Sequence, residues 1–233
     1  MIPKLIHYCW FGGNPIPEPA QKCIKSWQKY CPDYEIKEWN ENNFDFSRCI
    51  YAKEAYEAKK WAFVTDYARL KVLAGYGGIY MDTDVEVVRP LDVFLKEKAF
   101  SGFEHGENVS TGIMACEKNF SLFDALLKRY DGRHFLNADG TYDLTTNVKE
   151  FTEFLCKRGL LLNGRKQTIE GLALYPKEYF CPKNWKTRKV ECTNNTYAIH
   201  HFAGTWLTPW QRNKIAIREK KLLVKKMLSD LLK

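Results

Sequence analysis

The passage over residues 61–84 constrains this chain more than any other. Residues 61–74 carry Phe63, Tyr67, Leu70 and Ala74 at the three- and four-residue intervals of one helical stripe. Gly75, Gly77 and Gly78 end the helix, and Ile79, Tyr80 and Met81 then form a short apolar strand that runs straight into Asp82, Thr83 and Asp84. The rest of the chain repeats the alternation. Residues 2–10 read as a first buried strand that breaks at Gly12 and Gly13, and Pro15, Pro17 and Pro19 separate it from a helix over residues 20–30. Residues 34–39 alternate as a second strand. Strand and helix in this order make an α/β domain with a largely parallel sheet.

Further along, residues 100–116 predict a strand pair around Ser110, Thr111 and Gly112, and residues 120–130 predict a helix. A loop over 131–146 leads to a helix over 148–157, then to strands near Leu160 and over 172–175. Residues 176–195 are aromatic and polar without periodicity and receive no element. There is no internal repeat and no low-complexity linker.

A length of 233 residues fits one domain with a full core. No apolar run approaches the roughly 20 residues that span a bilayer, so an integral membrane protein is not expected. The start, Met1 to Ile6, reads as a strand entry rather than a leader, which makes a cytoplasmic protein the expectation. The eight cysteines are scattered without a C-x-x-C pair, so reduced thiols that pack the core are expected. Of the formal charge of +8, residues 214–233 hold +5, from seven basic and two acidic residues. That is a basic tail on a nearly balanced domain, not the spread of cations on a nucleic-acid enzyme's working face. On a helix the tail would set Val224, Met227, Leu228 and Leu231 on one stripe, flanked by Arg218, Lys221, Lys225 and Lys226. Residues 1–213 are therefore read as one domain and 214–233 as an amphipathic basic helix, either packed on the domain or lying on an anionic membrane.

Two aspartates one residue apart, just past an apolar strand, sit at the carboxyl edge of the sheet, where open α/β folds bind ligands. Their hard oxygens suit Mg²⁺ or Mn²⁺ shared with substrate phosphates. A bare D-x-D also occurs in turns, where aspartate bonds nearby amides. Asp66 and Arg69, three apart on the preceding helix, form either an ordinary ion pair or a shared ligand contact.

Together with its neighbours the motif resembles a known family. The run Trp-Ala-Phe-Val-Thr-Asp-Tyr-Ala-Arg-Leu from Trp61, followed by Gly-Gly-Ile-Tyr-Met-Asp-Thr-Asp-Val from Gly77, is similar to the sugar-binding DXD region of a family of retaining glycosyltransferases. That family includes capsular-polysaccharide synthesis enzymes, fungal Golgi initiating mannosyltransferases and, more distantly, the catalytic domains of large glucosylating toxins. The opening Ile-Pro-Lys-Leu-Ile-His-Tyr-Cys-Trp-Phe-Gly-Gly from Ile2 and the closing His-His-Phe-Ala-Gly-Thr-Trp from His200 resemble its two ends, and the capsular branch fits best.

The resemblance implies a single-domain glycosyltransferase type A fold: a nucleotide-sugar-binding α/β domain whose mixed, mostly parallel sheet is flanked by helices. It implies metal-dependent transfer of a sugar from a nucleotide-sugar donor, with UDP the expected nucleotide, to a glycan or lipid-linked saccharide in surface polysaccharide synthesis, with retention of configuration. Trp10 would stack on the base, Asp66 would accept from donor-sugar hydroxyls, and Arg69 would fix sugar or phosphate. Tyr80 would support the nucleotide or pack. Asp82 would contact ribose and metal, and Asp84 would ligate Mn²⁺ or Mg²⁺ directly. His200, His201 or Thr205 would complete the metal site, with His200 preferred over His201 because strand alternation puts the two on opposite faces. Trp206 would donate to the leaving diphosphate, and Asn147 would lie near the sugar or serve as a helix cap. By position alone, past a predicted strand and beside Glu104, His105 is read as lining the acceptor side. The rival readings are a sugar-nucleotide hydrolase or other metal-dependent phosphohydrolase, and a non-catalytic binding module built on the tail.

Overall fold

A computed structural model describes residues 1–104, 108–184 and 187–204. The strands are β1 (Leu5–Cys9), β2 (Glu35–Trp39), β3 (Gly78–Met81), β4 (Val85–Val87), β5 (Ala99–Gly102), β6 (Ile113–Cys116), β7 (Gln167–Ile169), β8 (Leu172–Tyr175) and β9 (Ala198–His200). The helices are α1 (Glu18–Tyr30), α2 (Ile50–Glu57), α3 (Trp61–Tyr76), α4 (Ser121–Leu127) and α5 (Asn147–Cys156). Seven strands form one sheet in the order β2-β1-β3-β6-β5-β8-β7, and β4 pairs with β9 in a separate ribbon. The sheet is mixed, as expected. Strands β2, β1, β3, β5 and β8 run one way, and only β6 and β7 oppose them.

Successive residues of the central strands feed two different cores, as the period of two demands. Ile79 and Met81 of β3, with Ile113 and Ala115 of β6, pack on the side of α1 and β4. Tyr80, Met114 and Cys116 pack on the other side, with α2, α3, α4 and α5. The central strands β3, β5, β6 and β8 are thus buried on both faces, which is why they read as short unbroken apolar runs. Helix α3 buries the expected stripe of Phe63, Tyr67, Leu70 and Ala74 and also Val64, Ala68, Val72 and Leu73, so it lies inside the second core rather than on its surface. Six of the eight cysteines are buried.

The link from α3 to β3 depends on two glycines. Gly77 (φ +68°) caps the helix and Gly78 (φ +96°) opens the strand, and a Cβ on Gly78 would lie 2.5 Å from the Leu5 carbonyl oxygen. Only glycine accepts both the left-handed backbone and that approach to β1. Gly75 does not stop the helix; α3 runs through it to Tyr76.

Four elements differ from the sequence reading. Helix α2 and strands β4 and β7 were not expected, and no strand forms at Leu160. There the Gln167 side chain holds both backbone groups of Leu161, accepting from its N–H at 2.9 Å and donating to its carbonyl at 2.7 Å, so no ladder is available. Leu160 itself is buried in the core. Among the described residues no helix is long and apolar enough to cross a membrane.

His7 is buried in the middle of β1. Its Nε2–H donates to the Gly77 carbonyl at 2.8 Å, and its Nδ1 accepts from Trp39 Nε1–H at 3.0 Å, which fixes the neutral ring. Burial, countered by the Gly77 bond and aided by the Lys37 charge, lowers its pKa to about 4. Below the ordinary value of 6.5 the unfolded chain binds a proton that the native ring refuses. His7's contribution is therefore complete above that value and is lost as pH falls toward 4. Between pH 7 and pH 5 the loss is about 2 kcal/mol. Urea unfolding at both pH values should show this drop in the wild type and a clearly smaller one in His7→Gln; equal drops in the two proteins would contradict the assignment.

Candidate active site

The site is assembled at the carboxyl end of β3. The Asp82 N–H donates to the Gly112 carbonyl at 2.9 Å, and the Val85 N–H closes the D-x-D turn on the Asp82 carbonyl at 2.9 Å. Strand β4 leaves this turn and is held from behind by α1: Trp27 Nε1–H donates to the Val85 carbonyl at 2.7 Å, and Ser26 Oγ accepts the Val87 N–H at 2.9 Å. Antiparallel pairing sets Val85 opposite His200 of β9, so the ribbon carries the carboxyl-terminal histidines to the aspartates.

His200 Nε2 lies 3.3 Å from Asp84 Oδ1. The other Asp84 oxygen accepts the Ala203 N–H at 2.7 Å, and the Asp84 carbonyl accepts the His201 N–H at 2.9 Å. One side-chain atom each from Asp82, Asp84 and His200 falls within 4.8 Å of the others. His200 packs on the bare Cα of Gly112, where an added Cβ would meet its Cε1 at 2.7 Å. Among the described residues its Nδ1 is buried without a hydrogen-bond partner. Burial disfavours charge on Asp84 and on His200, yet each holds the other ionised: Asp84 sits well below the usual carboxylate range and His200 well above the usual imidazole value. Two carboxylates and one imidazole in this compass fit a hard divalent cation, whose charge would take the place of the imidazolium proton.

His201 turns to the other face of the ribbon, as alternation predicts. Its Nε2–H donates to Glu86 at 2.8 Å and its Nδ1 accepts from Lys183 at 3.2 Å, which occupies both ring nitrogens and leaves it out of the three-residue cluster. Thr205, Trp206, His105 and residues 214–233 lie outside the described residues.

Behind the aspartates Arg69 is buried. Its guanidinium pairs with Asp66 at 3.1 Å and Asp82 at 3.4 Å, donates to the Thr111 carbonyl at 2.6 Å, and lies 4.8 Å from the Tyr80 ring centre. The spacing of Asp66 and Arg69 alone suggests an exposed pair worth about 0.2–0.5 kcal/mol. Burial changes that figure, because removing the one cation would strand two carboxylates and cost about 3–5 kcal/mol. Burial pushes Asp66 up to about 7 against the pull of Arg69, and Asp82 adds to the rise. Tyr80 is fully buried, and its hydroxyl donates to Asp82 at 2.8 Å, so it packs and orients the first aspartate.

Asn147 opens α5, and its Oδ1 accepts from the Thr111 hydroxyl at 2.9 Å. With Arg69, Thr111 and Glu150 it lines a cavity floored by Met114 and Phe151. Trp10 follows β1, partly exposed, its indole N–H donating to the Asn14 carbonyl at 2.6 Å. The sequence reading gave no site role to Thr111 or Gly112. Their only signal was a run of small residues between two strands, and their work is done by a carbonyl and by a missing side chain. Glu104, just past β5, is raised by burial and opposed by the His200 charge.

Residues 17–101, which contain the strand, the helix and the aspartates just described, match the family described as the glycosyltransferase sugar-binding region containing the DXD motif. The chain carries the sugar-binding region of the DXD-motif glycosyltransferases. An uncharacterized glycosyltransferase of Acanthamoeba polyphaga mimivirus is 26% identical over 96% of this glycosyltransferase and 91% of its own length. A mannosyl phosphorylinositol ceramide synthase of Saccharomyces cerevisiae is 31% identical over 55% of this chain and 35% of its own length, so the match spans about a third of that fungal relative. The fold is shared with a glycosyltransferase involved in the glycosylation of the PBCV-1 major capsid, at a TM-score of 0.50 and 12% identity over 86% of this chain and 94% of that one.

If His200 is held in place by its contact with Gly112, Gly112→Ala should lower Mn²⁺ affinity by roughly 10–100-fold, the usual cost of disturbing a ligand's support, while the protein stays folded. Mn²⁺ titration with a thermal melt as control checks this. Unchanged affinity would show that His200 does not depend on that contact.

Proposed function

We propose that this glycosyltransferase transfers a sugar from a nucleoside-diphosphate donor, UDP-sugar being expected, to a hydroxyl of a glycan or lipid-linked saccharide in surface polysaccharide synthesis, with retention at the anomeric carbon. The observation that carries the reading is the convergence of Asp82, Asp84 and His200 beside the buried Arg69 at the carboxyl edge of β3. Asp82, Asp84 and His200 are the residues that would hold Mn²⁺ or Mg²⁺. Bound there, the cation supplies Lewis-acid neutralisation of charge on the departing diphosphate.

The chain's own residues do the rest in this reading. Trp10 offers the partly exposed indole face on which the base stacks, worth about 1–3 kcal/mol. Tyr80 and Arg69 fix Asp82 so that it meets the ribose and the cation without reorganising. Asp66 and Asn147 face the donor sugar, the Asp66 carboxylate stabilising positive charge at its anomeric centre and the Asn147 amide donating to a sugar oxygen, and Trp206 and Thr205 serve the diphosphate and the cation. The fungal relative's name supports a hexosyl donor; it leaves the base open between UDP and GDP. Residues 1–213 form the catalytic unit in this scheme, and 214–233 dock it on an anionic membrane beside a lipid-linked acceptor.

Asp84→Asn should abolish Mn²⁺-dependent transfer, by roughly a hundredfold or more, because an amide lacks the charge a divalent cation requires. A thermal-shift panel of UDP- and GDP-sugars with Mn²⁺ identifies the donor by its stabilisation of the native state, and product analysis with an added glycan separates transfer from release to water. Near wild-type turnover in Asp84→Asn would remove it as the ligand. Sugar released only to water would favour the hydrolase.

The docking role has its own test. The full chain should pellet with anionic vesicles at low salt and release at high salt, since the attraction is screened within a Debye length. A truncation after Gln211 should stay in solution. Equal behaviour of the two chains would remove the membrane role.

A further inference from the structure

The loop that precedes α5 contains an arginine with no place in the site as described so far. Arg133 is largely buried, its side chain 16% exposed. Its Nη2 and Nε donate to Asp143 Oδ2 at 2.5 and 3.1 Å, and its Nη1 donates to Glu150 Oε2 at 2.8 Å. The guanidinium also lies over the Tyr51 ring at 4.5 Å, which ties the group to α2. Asp143 uses its second oxygen to accept the Thr145 N–H at 3.1 Å. Arg133 therefore grips the segment leading into α5 and the first turn of α5 at once. Asn147 lies between the two gripped points.

From Asn147 the chain of contacts continues into the site. Its Oδ1 accepts the Thr111 hydroxyl, and the Thr111 carbonyl accepts Arg69 Nη1. Among the described residues its Nδ2 is buried without a partner, a donor held ready beside the cavity that Asn147 shares with Arg69 and Glu150. An amide left unpaired at the start of a helix would ordinarily turn to a backbone group or to water. Here the helix start is fixed from outside, so the amide has a set direction.

We propose that Arg133 is a positioning residue of the glycosyltransferase: by clamping Asp143 and Glu150 it sets the start of α5 and so aims the Asn147 amide at the donor sugar. The proposal rests on the reading that Asn147 serves the sugar. It concerns orientation: Arg133 bonds to none of Asp82, Asp84 and His200, and its charge, which also holds Asp66 down through space, is kept in Arg133→Lys. Arginine suits the task because its planar fork binds two carboxylates at fixed angles, which a lysine ammonium does not.

The test is a double-mutant cycle on the full chain with Arg133→Met and Asn147→Ala. It is read as nucleotide release from the UDP- or GDP-sugar that gives the largest thermal shift with Mn²⁺. Misplacing a group by about 1 Å can cost roughly a hundredfold in rate, so Arg133→Met should lose roughly tenfold or more in kcat, and Arg133→Lys should recover only part of it. Mn²⁺ affinity should be unchanged. In the Asn147→Ala background Arg133→Met should cost less than roughly twofold further, because the group it aims is gone. Losses that multiply would overturn the proposal and leave Arg133 as a stabiliser of the loop. A silent Asn147→Ala, with Asp84→Asn still inactive, would overturn both the proposal and the assigned role of Asn147 while sparing the metal site.

Discussion

The structure around the site depends on one buried cation. The Arg69 guanidinium, 5% exposed, is the point at which α3, β3 and the turn before β6 meet, through Asp66, Asp82 and the Thr111 carbonyl. A buried charge is tolerated only when its donors are taken up, and here two carboxylates and the carbonyls of Thr65 and Thr111 share them beside the Tyr80 ring. That requirement sets the orientation of Asp82 before any ligand arrives. The two glycines between α3 and β3 serve the same end, since they bring the helix that carries Arg69 straight into the strand that carries Asp82.

The second half of the site is built by a weaker device, a ribbon of two three-residue strands. Strand β4 is held by Trp27 and Ser26 of α1, and β9 is held by β4, so the histidines depend on a helix early in the chain. Period-two alternation then decides which histidine faces the aspartates. His200 does; His201 is spent on Glu86 and Lys183.

The parts legible in the sequence are those whose signal is local and strong. The stripe of α3, the glycines behind it, and the apolar run into Asp82 and Asp84 could all be read, and they carry the fold class and half of the cluster. Alternation at His200 and His201 could be read as well, but the pairing of β9 with β4 could not, because β4 is only three residues long and lies more than a hundred residues away in the chain. The leucine run at 160–162 misled for the converse reason: a run of apolar residues predicts a strand only if its backbone has a partner, and Gln167 takes those groups. Thr111 and Arg133 act through a carbonyl and through a two-carboxylate grip, and neither leaves a pattern in sequence. The spacing of Asp66 and Arg69 was legible, but its weight was not, since i, i+3 geometry is the same on an exposed helix and a buried one.

The central claim is that Asp82, Asp84 and His200 form one cation site. It is tested most directly by electron paramagnetic resonance of Mn²⁺ bound to protein carrying ¹⁵N-labelled histidine. The account predicts one bound Mn²⁺ per chain with hyperfine coupling to a single imidazole nitrogen, and loss of that coupling in His200→Gln but not in His201→Gln. Mn²⁺ that binds without nitrogen coupling, or with coupling that survives His200→Gln, would contradict it.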